Sequence, residues 1–271
     1  MSSLKDKLII VRGGGDLASG VIYVLKKAGF SVLCLEIERP SAIRRTVAYS
    51  EAVYDGKVML EGYKAVLCDG FNSAMHEMHN GNIAVLVDPE AKVLNAVTPF
   101  ALVDAVLAKR NMGTTKDMAP LTIALGPGFE AGKDADYVIE TMRGHNLGRI
   151  IENGTALPNT GVPGLIAGHS SDRVIHAERE GILYNKAKIG DIVEEGQVIA
   201  EIKTENGEIC EVKASFKGLL RGLIRDGFYV TEGFKIADID ARENEHDNCY
   251  TISDKARALG GAVLTALCVN L

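Results

Sequence analysis

The sequence predicts an α/β protein in two parts: a doubly wound parallel sheet over residues 1–150 and a small β sandwich over 177–242. An irregular join covers 151–176, and a C-terminal segment with a helix covers 243–271. Three observations predict this. Short apolar runs alternate with helical patterns in the first half. A glycine bend, "RGGGD", stands between the first run and the first helix. In the second half, the pattern of 190–202 is written again over 227–239.

The bulk numbers agree with a folded protein. A chain of 271 residues, 46% hydrophobic and 24% charged, can bury the cores of two domains. The net charge is −6, and no cluster of Lys and Arg stands against it, so nucleic acid is not an expected partner. No apolar stretch approaches a membrane span, and no membrane partner is expected. Cys34, Cys68, Cys210, Cys249 and Cys268 are scattered singletons with no secretory signal ahead of them, which implies reduced thiols and a cytoplasmic location. Trp is absent, which argues against a base-stacking surface.

Taken in order, Lys7 to Val11 is too short for a helix and reads as a buried strand. Leu17, Val21, Val24, Leu25 and Ala28 share one helical face, closed by Gly29. Ser31 to Ile37 is the next strand, which makes a βαβ crossover. Runs at 65–68, 83–88, 121–126 and 136–141 read as further strands. Thr98 and Pro99 suit the cap and first position of a helix through "FALVDAVLAKR". Gly13, Gly15 and Ala18 satisfy the G-x-G-x-x-G/A spacing of a Rossmann-like fold, with Asp16 as helix N-cap. Glu36 ends the second strand where an acid would accept from a ribose hydroxyl, with Glu38 as a substitute. Arg44 and Arg45 follow it and suit an anionic ligand, or a solvated basic pair. The second glycine turn, 124–136, fails as a P-loop at Pro127 and Asp134 but can line a crevice at the strand ends.

In the repeat, Gly190, Val193, Glu195, Gly196, Ile199, Ala200 and Ile202 recur as Gly227, Val230, Glu232, Gly233, Ile236, Ala237 and Ile239. Two glycine turns and an alternating strand, doubled, describe two sheets closing on one another. The segment from Ala177 to Asp240 resembles a biotinyl/lipoyl carrier domain. The tip between its halves is Asn206-Gly207, a turn with no amine, so no covalent biotin or lipoate is expected, and a structural or docking role is. The Gly-, Asn- and Pro-rich stretch 143–181 around the join carries Arg143, His145, Arg149, His169 and His176. His145 and His169 are proton-transfer candidates by position alone. His76 and His79 lack HExxH spacing and read as surface residues. No nucleophile elbow or metal cage is written, so the catalytic residues are unknown and no metal site is expected. Ser253 caps a C-terminal helix that packs on the first domain or across a homodimer interface.

The stretches "RGGGDLASGV", "IRRTVAYSEAVYDG", "PFALVDAVLAKRN", "LGPGFEAGKDADYVIETMRGHNLGRII" and "ISDKARALGGAVL" together resemble the YqeB group of selenium-dependent molybdenum hydroxylase accessory proteins. That group is related through its Rossmann half to XdhC, the xanthine dehydrogenase accessory protein. The resemblance implies an accessory role in maturing molybdenum hydroxylases, with the molybdenum cofactor or a related nucleotide bound in transit. The implied partners are the hydroxylase apo-enzyme and a sulfur or selenium donor. In that reading Gly13, Gly14, Gly15, Asp16 and Leu17 form the phosphate loop, and Glu36 meets any ribose. Arg44 and Arg45 neutralise the anion, while Gly128 and Arg143 line the opposite wall. Two alternatives stand beside it: an NAD(P)-dependent oxidoreductase, and a non-enzymatic scaffold that docks partners through the sandwich.

Overall fold

The computed structural model describes residues 3–161, 164 and 168–271. They form two units, one of Met1–Pro40, Ala48–Thr160 and Ile252–Leu271, the other of Ser41–Val47 and Gly161–Thr251.

The first unit opens with β1 (Leu8–Arg12), α1 (Asp16–Ala28) and β2 (Ser31–Glu36). Ile9, Ile10 and Val11 are 0% exposed, because a central parallel strand is covered on both faces. Gly29, at φ 104°, ends α1 by donating to the carbonyls of Leu25 and Lys26, a conformation that a residue with Cβ resists. Then follow α2 (Ala52–Asp55), β3 (Lys57–Leu60), β4 (Tyr63–Leu67), α3 (Phe71–His79) and β5 (Ile83–Val87). The remaining strands are β6 (Ala101–Asp104), β7 (Thr122–Leu125), β8 (Glu130–Ala131), β9 (Tyr137–Ile139), β10 (Ile150–Ile151) and β11 (Gly154–Thr155). One sheet runs β10-β9-β7-β6-β1-β2-β5-β4-β3, and β8 pairs with β11 apart from it. Ala74 and Met78 of α3 pack with Ile10, Leu33, Leu86 and Leu102.

The second unit contains β12 (Val174–His176), β13 (Gly181–Asn185), β14 (Ile192–Val193), β15 (Val198–Lys203), β16 (Ile209–Lys213), β17 (Gly218–Leu223), β18 (Phe228–Val230) and β19 (Lys235–Asp240). They make two antiparallel sheets, β12-β19-β17-β14 and β16-β15-β13-β18. Leu183, Ile199, Ile202, Leu219, Leu220, Val230, Ile236 and Ile239 share its buried core. The sequence repeat has a topological meaning. The short strand of each copy joins the sheet that holds the long strand of the other, so β14 lies with β19 and β18 with β15. Neither copy can therefore close its own sheet. The chain ends in α4 (Asp254–Cys268), which returns to the first unit and packs on α1.

The predicted fold class is corrected by these observations. The sheet is mixed rather than wholly parallel: β10 and β3 run antiparallel at its two edges. It is not doubly wound along its length, since no α-helix among the described residues connects β6 to β7 or β7 to β9. The helix expected after Thr98 is absent. Its "ALVD" is β6, paired with β1 and fully buried. A short apolar run fits either period, and burial at the sheet centre decides for the strand. The second unit is likewise not the contiguous 177–242 carrier-like module. It extends over 161–251 and incorporates Ser41–Val47, with Leu223 N–H donating to Ile43 O at 2.8 Å.

Candidate functional site

The carboxyl ends of β1, β2 and β6 carry ionic side chains, each engaged by its own chain. Arg12, 5% exposed, donates to Asp104, to Thr114 Oγ1 and to the carbonyls of Pro89 and Met112. Thr114 Oγ1 in turn donates to Asp104 Oδ2 at 2.5 Å. This triad fastens the loops after β5 and β6 to the tip of β1. Sequence reasoning missed it, although an arginine directly before three glycines in "VRGGG" was the available signal.

The glycine bend itself is filled from within. Gly13 N–H donates to Leu35 O at 2.7 Å. Gly14 N–H donates to Glu36 Oε1 at 2.6 Å, and Glu36 Oε2 accepts from Ile37 N–H at 2.9 Å. Gly14 O accepts from Ser50 N–H and from Ser19 Oγ. A Cβ on Gly14 would lie 2.9 Å from Cys34 Sγ, and one on Gly13 would lie 3.0 Å from Ala105 O. The missing Cβ atoms thus make room for the protein's own backbone and thiol. Burial pushes the Glu36 carboxyl up, with the two N–H donors opposing that shift.

The other expected residues are dispersed. Gly15, not Asp16, is the N-cap of α1; Asp16 and Leu17 are its first two residues, both half-buried. Glu38 is exposed. Arg44 and Arg45 belong to the second unit, where they donate to the carbonyls of Asn248 and Leu223 at 2.8 Å each. Gly128 allows close packing, since its Cβ would lie 2.6 Å from Arg110 Cα. Arg143 forms a two-pronged pair with Asp254 at 2.8 and 3.2 Å. His145 is exposed, as are His76 and His79 in the last turn of α3. His169 pairs with Asp172 and stacks on Phe216 in the second unit. His176 lines a cleft of about 260 Å³ there with Cys210. A larger cleft of about 580 Å³, with Thr98, Lys116 and Asp136 in its wall, lies at the amino ends of β6, β7 and β9. That is the opposite end of the strands from the bend.

One cluster at the carboxyl ends remains. α1 and α4 pack in parallel with their starts side by side. A Cβ on Gly20 would lie 2.5 Å from the Ala256 backbone, and one on Gly260 would lie 2.7 Å from Gly20 O. Lys255, in the first turn of α4, feels the charges of Arg143, Asp16, Glu140 and Asp254. It is half-buried, and no hydrogen bond or ion pair among the described residues engages its amine. Loss of hydration lowers its pKa, Arg143 adds to the effect, and the carboxylates oppose it. The N–H groups of Gly15, Leu17 and Ala18 meet no acceptor among the described residues. Lys255 has no motif around it. Only the return of α4 to the start of α1 reveals it.

No family model matches the chain. A protein named YqeB, from Escherichia coli K12, is 52% identical over 261 residues, covering 96% of this chain and 47% of that protein. The chain belongs to the YqeB family. It spans about half the length of the curated relative it matches, with 47% covered. Solved structures give only weak likenesses. An aspartoacylase family protein from Mesorhizobium loti is 13% identical, with 86% of this chain and 84% of that one covered and a TM-score of 0.26. A succinylglutamate desuccinylase/aspartoacylase from Rhodobacter sphaeroides reaches 15% identity, 86% and 84% coverage and a TM-score of 0.30. The ectoine utilization protein EutE (DoeB) from Ruegeria pomeroyi reaches 10% identity, 85% and 56% coverage and a TM-score of 0.25. Such scores establish neither fold nor activity for this member of the YqeB family.

The expected role in maturing molybdenum hydroxylases is corrected here. The family resemblance implied it, with the cofactor seated on open backbone N–H groups at the bend, and those of Gly13 and Gly14 are consumed by Leu35 and Glu36. The residues present do not fit a cofactor phosphate seated on this bend. Glu36, expected on a ribose, caps the bend instead, and the two arginines expected as counter-charges are engaged in the second unit. Among the described residues no helix is long and apolar enough to cross a membrane.

Proposed function

We propose that the first unit of this YqeB-family protein binds a small anionic molecule where α1 and α4 begin, with Lys255 as its cationic contact. The observation that supports this reading is the Lys255 amine, half-buried and without a hydrogen-bond or ion-pair partner among the described residues, where lost hydration outweighs the nearby carboxylates in setting its pKa. A protein keeps an unpaired, partly dehydrated ammonium at a cost, and an incoming anion removes that cost. The N–H groups of Gly15, Leu17 and Ala18 add donors, and the aligned peptide dipoles of two adjacent helix starts favour negative charge. Asp16 and Asp254 flank the site and restrict it to a small ligand that avoids them. Arg143 joins the site only by releasing Asp254. The reading concerns binding alone and assigns no reaction.

Calorimetric titration of the full chain with inorganic phosphate and with small dicarboxylates tests it. Lys255→Met is expected to weaken the binding about tenfold or more, because a hydrogen bond to a charged group contributes ~1.5–3 kcal/mol. Affinity is expected to fall as pH rises through the lowered pKa of Lys255, since the neutral amine no longer attracts an anion. Unchanged affinity in Lys255→Met overturns the reading.

A further inference from the structure

The second unit holds a charged cluster that the preceding reading does not use. Asp238 and Asp240 lie on β19 and are 5% and 0% exposed. Arg242 engages Asp240 through hydrogen bonds of 2.9 Å from Nε and 2.6 Å from one terminal nitrogen. Arg173 donates to Asp238 Oδ1 at 3.0 Å and to Ile239 O at 3.3 Å. Arg221 differs from both. It stands on β17, which pairs with β19, and its side chain is 14% exposed. It approaches Asp238 Oδ2 only to 4.0 Å, beyond hydrogen-bond reach, and its Nε is buried without a hydrogen-bond partner among the described residues.

Two guanidiniums therefore share the Asp238 carboxylate, and the Arg221 side chain makes no hydrogen bond among the described residues. A guanidinium has five N–H donors and remains charged at any physiological pH. Leaving one buried donor, here Nε, unmet costs more than most single contacts contribute. Arg44 bears on the same place: it and Arg221 both act electrostatically on the buried Cys249 thiol. Asp240, the other carboxylate on this strand, is held at both oxygens by Arg242. Among the described residues, what Arg221 lacks is an acceptor within hydrogen-bond distance of its Nε.

We propose that Arg221 marks an oxyanion site in the second unit, one that takes the phosphate or carboxylate group of a small molecule beside β17. The planar guanidinium fork matches two oxygens of either group. This site is separate from the one at Lys255, and neither depends on the other.

The test uses the full chain, isotopically labelled and titrated with inorganic phosphate, while the Arg221 Nε–Hε resonance and Tm are followed. The resonance is expected to shift saturably and Tm to rise, and both responses are expected to persist in Lys255→Met. Arg221→Met keeps the side chain's length, removes a charge that is costly to bury and is expected to fold. In it the part of the Tm rise that persists in Lys255→Met should vanish. Arg221→Lys keeps the charge without the fork and should bind phosphate more weakly than the natural chain. An Arg221 resonance that ignores phosphate overturns the site and shows the cluster closed on itself through Asp238. So does a Tm rise of equal size in Arg221→Met and the natural chain, or one abolished by Lys255→Met alone.

Discussion

Glu36 shows how one side chain can reverse the reading of a motif. Its position at the end of β2 fits an acid that awaits a ligand, yet its carboxylate accepts from Gly14 and Ile37. Glu36→Ala leaves the Gly14 N–H buried without an acceptor, and chemical denaturation is expected to report a loss of about 1–3 kcal/mol. The sign of its pH dependence follows from its raised pKa. A carboxyl whose folded pKa lies above its unfolded value contributes stability below the unfolded value and loses it as pH rises through the folded one. The stability difference between the natural chain and Glu36→Ala should therefore be larger in mild acid than at neutral pH. The glycines of the bend were legible in the sequence, but what fills the space beside them was not. That the neighbour of Gly14 is Cys34 Sγ depends on a strand more than ten residues away in sequence.

At the scale of elements, α1 and α4 form a close pair across most of the chain length. Gly20 and Gly260 permit it, because either Cβ would enter the opposing helix. Gly20→Ala gains intrinsic helix propensity, yet its methyl would fall 2.5 Å from Ala256 backbone atoms. Overpacking of this kind is expected to cost about 1–3 kcal/mol and to lower Tm, while a variant at the open Gly261 position, Gly261→Ala, should not destabilise. The C-terminal helix and its Ser253 cap were legible, since a capping residue before a periodic run is a local signal. β6 was not: "ALVD" with a proline ahead of it satisfies helical cues, and only its pairing to β1 and β7 removes the ambiguity. The doubled pattern in the second half was visible, but the exchange of short strands between sheets is a matter of pairing, which repetition alone does not specify.

At the scale of the whole molecule, the chain is not divided where its sequence changes character. Ser41–Val47 is embedded among residues of the first unit yet belongs to the second, where Ile43 packs against the apolar core and bonds Leu223. Ile43→Ala is expected to destabilise the second unit by about 1–3 kcal/mol, less than a fully buried isoleucine would cost. Hydrogen exchange should read this as faster exchange at the Leu223 amide. Similar exchange rates in both chains would mean that the segment contributes nothing to that unit. The sequence by itself determined the local facts: the β1–α1–β2 crossover, the position of the glycine bend, the repeat and the family. Each is set by neighbours close along the chain, whose spacing fixes backbone geometry and apolar period. Tertiary structure alone decided which charged groups are consumed and which are left over. Arg44, Arg143 and Glu36 find internal acceptors or donors, while the Lys255 amine and the Arg221 Nε meet no hydrogen-bond acceptor among the described residues. Whether a charge is satisfied depends on atoms brought within about 3 Å by folding, and sequence spacing holds no record of that distance.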